Sequence, residues 1–508
     1  MTTAIELPFS FQHLSLPGGI RAAMQRNPAK VALKHNDQQR TYGELMERID
    51  RVCAGIIDDI GLKHGDHAAI VAANSIEYLE IILGASQAGI GTATVNPRLS
   101  PPEIVAICDD AQARVLFVDQ AAAEALKDSS FATVGKIIVT GPEFEGWLAQ
   151  TPPLKKLPTV EEWDTFTIPY TSGTTGKPKG VLVPHRSRVI SLYAMAVEYG
   201  CFAPDDRFLA IAPMCHGAGM IFALAPIFFG GYAEVMDRFE PEAVVRKFRD
   251  EKITGFFGVP THFHAIFSLE QSFLDEHRSE TLQTIISNAA PLPQTMKEKI
   301  VGHFGQILHE TYGSTEASIV SNLRPVDQLR KTACVGQAFP GTQIEIRRDD
   351  GSLCDADEVG ELFSTSSCLF NGYWKRPDET AEAFHSGWVT VGDLAKKDSE
   401  GHLYIVDRKK DMVISGGINI YPRDIEEVLL QHPSISDAAV IGVPDEKWGE
   451  RLKAFIVLVP GKELDVDGIA EFCDGRISSM KTPKDIAFID ILPRNASGKV
   501  LKTDLRQR

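Results

Sequence analysis

The 508-residue sequence is short of the features that most quickly narrow a protein's chemistry. Its eight cysteines, at 53, 108, 201, 215, 334, 354, 368 and 473, form no CxxC pair and no metal-ligand spacing. A disulfide framework and a zinc site are therefore not expected, and the thiols read as reduced, in a cytoplasmic protein. No apolar run approaches the roughly 20 residues of a membrane span. The opening "MTTAIELPFSFQH" places no basic residue before an apolar run, so it does not read as a secretory signal. Basic charge is in deficit: the formal net charge is −16, which argues against nucleic acid or an anionic membrane as the main partner. There is no internal repeat and no low-complexity tract.

What is present is an ordinary globular composition, 44% hydrophobic and 24% charged, in a chain too long for one growing core. Several domains are expected. Helix-like and strand-like segments alternate: "YGELMERIDRVCAGIIDDI" and "IEYLEIILGASQAG" have helical texture, while "DHAAIVAAN", "ARVLFVD", "DRFLAIAP", "ITGFFGVP" and "LQTIISNA" read as strands. This predicts α/β layers with largely parallel strands. Near residue 343 the texture changes to short β segments and turns. After "DRKKD" at 407–411 a compact βαβ-like stretch begins, in "IEEVLLQHP", "DAAVIGVP" and "LKAFIVLVP".

The densest chemistry lies in "YTSGTTGKPKG", Tyr170 to Gly180. Glycine-turn N–H groups, hydroxyls and a lysine ammonium together suit phosphate oxygens. The Walker A spacing fails, because Pro178 stands where its second Gly belongs and Lys179 precedes Gly180, not a hydroxyl. A plain surface loop is the alternative. Against it, "FTIPY" and "GVLVPH" on either side read as strands that would pin the loop.

Four further stretches are each unremarkable alone. "ETYGSTEAS" offers an aromatic at Tyr312, hydroxyls at Ser314 and Thr315 and a carboxylate at Glu316, but on its own it reads first as a helix N-cap. "SGWVTVGDLA" places Asp393 in a turn after a strand. "DRKKDMVISGGINIYP" sets Arg408 beside a Gly-Gly turn and a Pro-bounded helix start, and "PRNASGKVLK" puts Lys499 on a Gly turn.

Taken in this order, the set resembles the acyl-adenylate-forming superfamily: acyl-CoA synthetases (the medium-chain enzymes among them), aryl-CoA ligases including halobenzoate ligases, peptide-synthetase adenylation domains and firefly-type luciferases. The resemblance extends from about residue 20 to the C-terminus. It implies an α/β fold with a large N-terminal domain, 1–407, of two α/β subdomains plus a β-rich subdomain. A hinge at 408–410 and a small mobile α+β C-terminal domain, 411–508, follow from the same resemblance.

The resemblance also implies roles. Thr171, Ser172, Gly173, Thr174, Thr175, Gly176 and Lys179 match the loop that handles the β- and γ-phosphates of ATP. Tyr312 matches the aromatic beside adenine, Asn288, Ala289 and Ala290 match the adenine-pocket wall, and Thr311, Gly313 and Ser314 complete the nucleotide site. Thr315 matches a phosphate contact, Glu316 the Mg²⁺ ligand, Asp393 and Arg408 the ribose pair, and Lys410 the hinge. Lys499 matches the lysine that reaches the reacting carboxylate and the α-phosphate. His216, with Gly217, Ala194, Val259, Ala289 and Gly313, matches the acyl pocket; Gly417, Asn419 and Trp448 match the CoA face. Alone, His216 would read as a buried histidine and Trp448 as a surface aromatic at a turn. Two positions depart from the pattern: Val391 stands where Thr is usual, and Thr482 where many CoA ligases carry a basic or apolar residue.

The implied activity is carboxylate activation by ATP to acyl-AMP and pyrophosphate, then transfer to CoA. The sequence ends at "LKTDLRQR" with no carrier-protein segment, which makes free CoA the expected acceptor. A free-standing enzyme loading a separate carrier protein is the alternative, with a luciferase-like oxygenase more distant. A nucleotide sensor without turnover would leave Lys499 and Lys410 without purpose. "VPTHFHAI" and "APMCHGAGM" have the texture of aryl-CoA ligases, and Gly217, Ala218, Gly219 and Ala194 leave volume for the acid. With no Arg or Lys in those segments, an uncharged aryl or medium-chain acid is expected, with acetate and malonate poor. The competing reading is a dicarboxylate recruited by Arg186 or Arg188. The partners expected are small molecules, and a homodimer is one assembly open to the chain.

Overall fold

The computed structural model describes residues 14–172, 178–416, 418–494 and 500–507, with the backbone alone at Ser172. The chain divides into two compact units, one of residues 1–343 and 364–389, the other of 344–363 and 390–508.

The first unit holds two sheets. Among the described residues, a nine-stranded sheet runs in the order Gln337–Ala338, Ser318–Leu323, Leu308–Ser314, Thr284–Ser287, Gly255–Gly258, Arg207–Ala210, Tyr232–Val235, Val31–His35, Gln38–Thr41. From Leu308–Ser314 to Val31–His35 every pairing is parallel, and antiparallel strands close both edges. The other sheet is parallel through Lys136–Val139, Ala113–Val118, His67–Val71, Gly91–Val95 and Thr165–Ser172. Such strands need crossovers, which explains the alternation legible in the sequence.

Helix Ile76–Gln87 shows how one segment serves both layers. All of its residues except the half-buried Glu77 are buried, and it packs on Gly91–Val95 and Thr165–Ser172 of one sheet and on Val31–His35 of the other. A helix with no wet face must be apolar nearly all round, as this one is. Its one fully buried charge, Glu80, is 0% exposed and is held by Arg48 Nε at 2.6 Å and Arg40 Nε at 3.1 Å. Helix Tyr42–Ala54 beside it starts at a reciprocal capping box between Thr41 and Glu44.

In the second unit, strands Asp393–Lys397 and Leu403–Arg408 pair antiparallel, and Gly360 and Glu361 pair with Ala395 and Leu394. Among the described residues a five-stranded sheet follows, packed by helix Pro422–Leu429 through Ile425 and Leu429. Here the βαβ-like expectation needs correction. Ile435–Asp445 and Gly449–Leu458 form a long antiparallel hairpin, and the parallel unit is the next one, Gly449–Leu458 to Asp485–Phe488 across helix Val466–Cys473.

Candidate active site

The glycine-rich stretch leaves strand Thr165–Ser172 and returns in Pro178–Gly180, with Thr171 opposite Lys179. Ile168 is buried beneath it, and Tyr170 donates its hydroxyl to Asp110 Oδ2 at 2.7 Å. Asp110 also takes Arg376 Nη2 at 3.0 Å, and its carbonyl takes Trp374 Nε1 at 2.9 Å. The stem of the loop is thus fixed by residues far from it in sequence. Gly173, Thr174, Thr175, Gly176, Gly417 and Lys499, and the side chain of Ser172, lie outside the described residues.

Lys179 emerges from this stem half-buried. Its Nζ lies 3.6 Å from Glu379 Oε2 and 5.2 Å from the centre of the Tyr373 ring. Tyr373 donates its hydroxyl to Glu316 Oε1 at 2.8 Å. Two expected phosphate-site residues, one cationic and one anionic, are therefore brought together by a tyrosine the sequence reading did not single out.

Glu316 sits in a hairpin turn, not in a helix start, which corrects the capping account of "YGSTE". Strand Leu308–Ser314 turns into Ser318–Leu323, and Ser314 Oγ accepts from Ala317 N at 3.0 Å inside the turn. A Cβ on Gly313 would stand 2.1 Å from Ser318 O, so only glycine fits there.

The remaining expected residues of this unit follow the carboxyl ends of parallel strands. His216 lies beyond Arg207–Ala210, Val259 beyond Gly255–Gly258, Asn288 to Ala290 beyond Thr284–Ser287, and Tyr312 at the end of its strand. Such edges are where ligands bind in open α/β sheets. Asn288 Nδ2 donates to Thr311 Oγ1 at 2.8 Å, and Ala289 takes φ +79, a conformation rare outside glycine. His216 meets Asn96 at 3.4 Å through Nε2, and burial, helped by the Arg98 charge, lowers its pKa. Ala194 and Val259 are partly buried against the main apolar core, and Gly217 opens helix Gly217–Phe229.

In the second unit, Asp393 and Arg408 face each other across the strand pair, with Oδ1 and Nε 3.1 Å apart. Asp393 is buried and follows Gly392, whose N–H is taken by Thr390 Oγ1 at 3.1 Å. Lys410 lies in a turn in which Asp411 N and Met412 N both donate to Arg408 O. Burial lowers its pKa, with Asp411 opposing. Asn419 is exposed in Ile418–Ile420. Trp448 is 49% exposed, with Lys447 Nζ 4.7 Å from its ring and its backbone carbonyl bonded to Gly416 N at 2.8 Å.

Known proteins resemble the chain over nearly its whole length. The model of the AMP-binding enzyme family matches residues 20–374, and that of the AMP-binding enzyme C-terminal domain matches 424–499. A feruloyl-CoA synthase of an Amycolatopsis species is 33% identical, covering 95% of this chain and 96% of the relative. A 2-succinylbenzoate–CoA ligase of Bacillus cereus strain Q1 is 32% identical, covering 95% and 97%. Among solved structures, ATP-bound MatB from Rhodopseudomonas palustris superposes with a TM-score of 0.88 at 27% identity, covering 97% of this chain and 98% of that one. The o-succinylbenzoate CoA synthetase MenE of Bacillus subtilis, in complex with the acyl-adenylate intermediate OSB-AMP, gives 0.86 at 28%, covering 96% and 98%. The chain belongs to the AMP-binding enzyme family, within its branch of AMP-forming acid–CoA ligases. No helix among the described residues is long and apolar enough to cross a membrane.

Proposed function

We propose that the chain joins an aryl or medium-chain carboxylic acid to CoA at the expense of ATP, which becomes AMP and pyrophosphate. The observation that carries the site assignment is the convergence of Lys179 and Glu316 on Tyr373 beside the phosphate-loop stem. A carboxylate attacks a polyanion poorly because like charges repel, so the enzyme must neutralise and align. Lys179 and the loop hydroxyls would take the β- and γ-phosphates. A single buried carboxylate with no cluster of further acidic ligands among the described residues suits Mg²⁺, which is commonly held by one or two carboxylates and the phosphates themselves. Glu316 would hold that ion, which would supply neutralising charge.

Asp393 would accept from the ribose hydroxyls while Arg408 fixes its carboxylate. Asn288 to Ala290 and Tyr312 would enclose adenine, and Thr311, Gly313, Ser314 and Thr315 would complete the nucleotide site. Lys499 would pair with the attacking carboxylate and the α-phosphate. The acid oxygen displaces pyrophosphate in line, giving a mixed anhydride that only a closed site protects from water. CoA sulfur then attacks the acyl carbon and AMP leaves. Lys410 would act as the hinge that clears Lys499 for this step, and Asn419, Gly417 and Trp448 would meet CoA. The aryl preference is supported by relatives named for feruloyl and 2-succinylbenzoyl transfer and by the small residues Gly217 and Ala194.

The test is Lys499→Ala. Acid-dependent pyrophosphate release should fall by roughly 10²–10³-fold, while supplied acyl-AMP is still converted to the thioester. Equal losses in both steps would refute the assignment.

A further inference from the structure

One buried cation has no role in the scheme above. Arg188, on helix His185–Tyr199, is 5% exposed, and no hydrogen bond or ion pair of its guanidinium occurs among the described residues. Its Nε is completely enclosed without a partner. The ionisable neighbour acting on it is the Cys368 thiol, which burial keeps neutral, so no counter-ion is supplied from there. The serines flanking it on its helix are engaged elsewhere: Ser187 Oγ donates to Cys368 O at 2.6 Å, and Ser191 Oγ lies 2.8 Å from Ser318 Oγ. Arg186, two residues earlier, is by contrast fully used. It pairs with Glu162 at 2.7 Å and lies 5.3 Å from the centre of the Trp163 ring.

The direction in which Arg188 reaches is fixed by Gly217. A Cβ built on Gly217 would stand 3.1 Å from Arg188 Nη2. The guanidinium therefore lies against the first turn of helix Gly217–Phe229, which follows the carboxyl end of strand Arg207–Ala210. A lone buried cation is strongly unfavourable unless something pairs with it, and a guanidinium fork matches a carboxylate in shape and charge.

We propose that Arg188 determines specificity by pairing with a second carboxylate, carried on the body of the acid at the end away from the one that is activated. This rests on the ligase reading and on the placing of His216 and Gly217 at the acid. It takes up the dicarboxylate alternative that the sequence left open for Arg186 or Arg188, and assigns it to Arg188, since Arg186 is already paired. Gly217 is then small for a reason, because any side chain there would press on the guanidinium.

The experiment compares acids matched in body but differing in the second carboxylate: octanoate with suberate, cinnamate with 4-carboxycinnamate, and 4-oxo-4-phenylbutyrate with 2-succinylbenzoate. Acid-dependent pyrophosphate release is measured with the full chain, ATP and Mg²⁺. In at least one pair the wild type should favour the diacid in kcat/KM by about tenfold or more. Arg188→Leu should abolish that preference through KM for the diacid, leaving the neutral partner and KM for ATP unchanged, and Arg188→Lys should restore part of it. A melting temperature for each variant confirms folding, and Arg188→Gln, which keeps polar bulk, replaces Arg188→Leu if the latter does not fold. Turnover without diacid preference in any pair overturns the proposal while leaving the ligase reading intact. A uniform loss for all acids with a raised KM for ATP also overturns it, assigning Arg188 to the phosphate loop. Absence of turnover with every acid removes the ligase reading itself.

Discussion

Tyr373 stands between a cation and a carboxylate: its ring centre is 5.2 Å from Lys179 Nζ, and its hydroxyl donates 2.8 Å to Glu316 Oε1. The two charges are held near each other without neutralising one another by direct contact. In the proposed function Lys179 would meet a phosphate and Glu316 a cation.

Tyr373→Phe separates the two halves of this arrangement, since it removes the hydroxyl and keeps the ring under Lys179. A hydrogen bond to a charged group contributes about 1.5–3 kcal/mol, so pyrophosphate release should fall by roughly ten- to a hundredfold. The Mg²⁺ concentration for half-maximal rate should rise, because Glu316 loses its orientation. Titrating Mg²⁺ against initial rate checks this, and an unchanged Mg²⁺ requirement would detach Tyr373 from the metal side of the site.

Gly313→Ala tests the hairpin that presents Glu316. The new methyl would meet the Ser318 carbonyl, which is backbone and cannot rotate away. Overpacking of this kind costs about 1–3 kcal/mol. A lower melting temperature and a loss of activity larger than the loss of folded protein are expected; wild-type activity would mean that the turn accommodates a side chain.

The Asp393–Arg408 pair is open to a substrate-side test. If Asp393 receives the ribose hydroxyls, the wild type should discriminate ATP from 3′-deoxy-ATP, and Asp393→Ala should lose that discrimination while weakening ATP itself. Equal discrimination in both proteins would place the ribose elsewhere.

Two buried histidines set a pH limit on stability. Burial holds His185 and His309 down to about 4, and at His309 the Glu198 charge and an Asn322 hydrogen bond only partly oppose this. Unfolded imidazoles titrate near ~6.5. Between those values the unfolded chain binds protons that the folded chain refuses, so their contribution is complete above ~6.5 and is lost as the pH falls toward about 4. The melting temperature should therefore decline between about pH 7 and about pH 5, with a shallower slope in His309→Gln. A flat profile in the wild type would contradict the assignment.

Much of this was legible in the sequence, for physical reasons that can be named. Parallel strands buried on both faces read as continuous apolar runs, which is why "ARVLFVD" and "LQTIISNA" fall where Ala113–Val118 and Thr284–Ser287 are found. The hairpin of Ile435–Asp445 and Gly449–Leu458 was misread, although its connection holds the signal: 446–448 are too few residues to return a chain for parallel pairing. The capping account of Ser314 to Glu316 failed because a hydroxyl accepting an N–H three residues on is common to helix starts and tight turns. Tyr373, Asp110 and Asn96 could not be found by local pattern. Their partners lie 57, 60 and 120 residues away, and only the fold brings them together.

The central claim is that the acid's own oxygen attacks the α-phosphate. Supplying the carboxylic acid labelled with ¹⁸O in its carboxyl group, with ATP, Mg²⁺ and CoA, and analysing the products by mass spectrometry follows that oxygen directly. One labelled oxygen should appear in AMP for each thioester formed, because the bridging oxygen of acyl-AMP leaves with the nucleotide when sulfur attacks carbon. Label in inorganic phosphate with ADP as product, or AMP without label, would contradict the account.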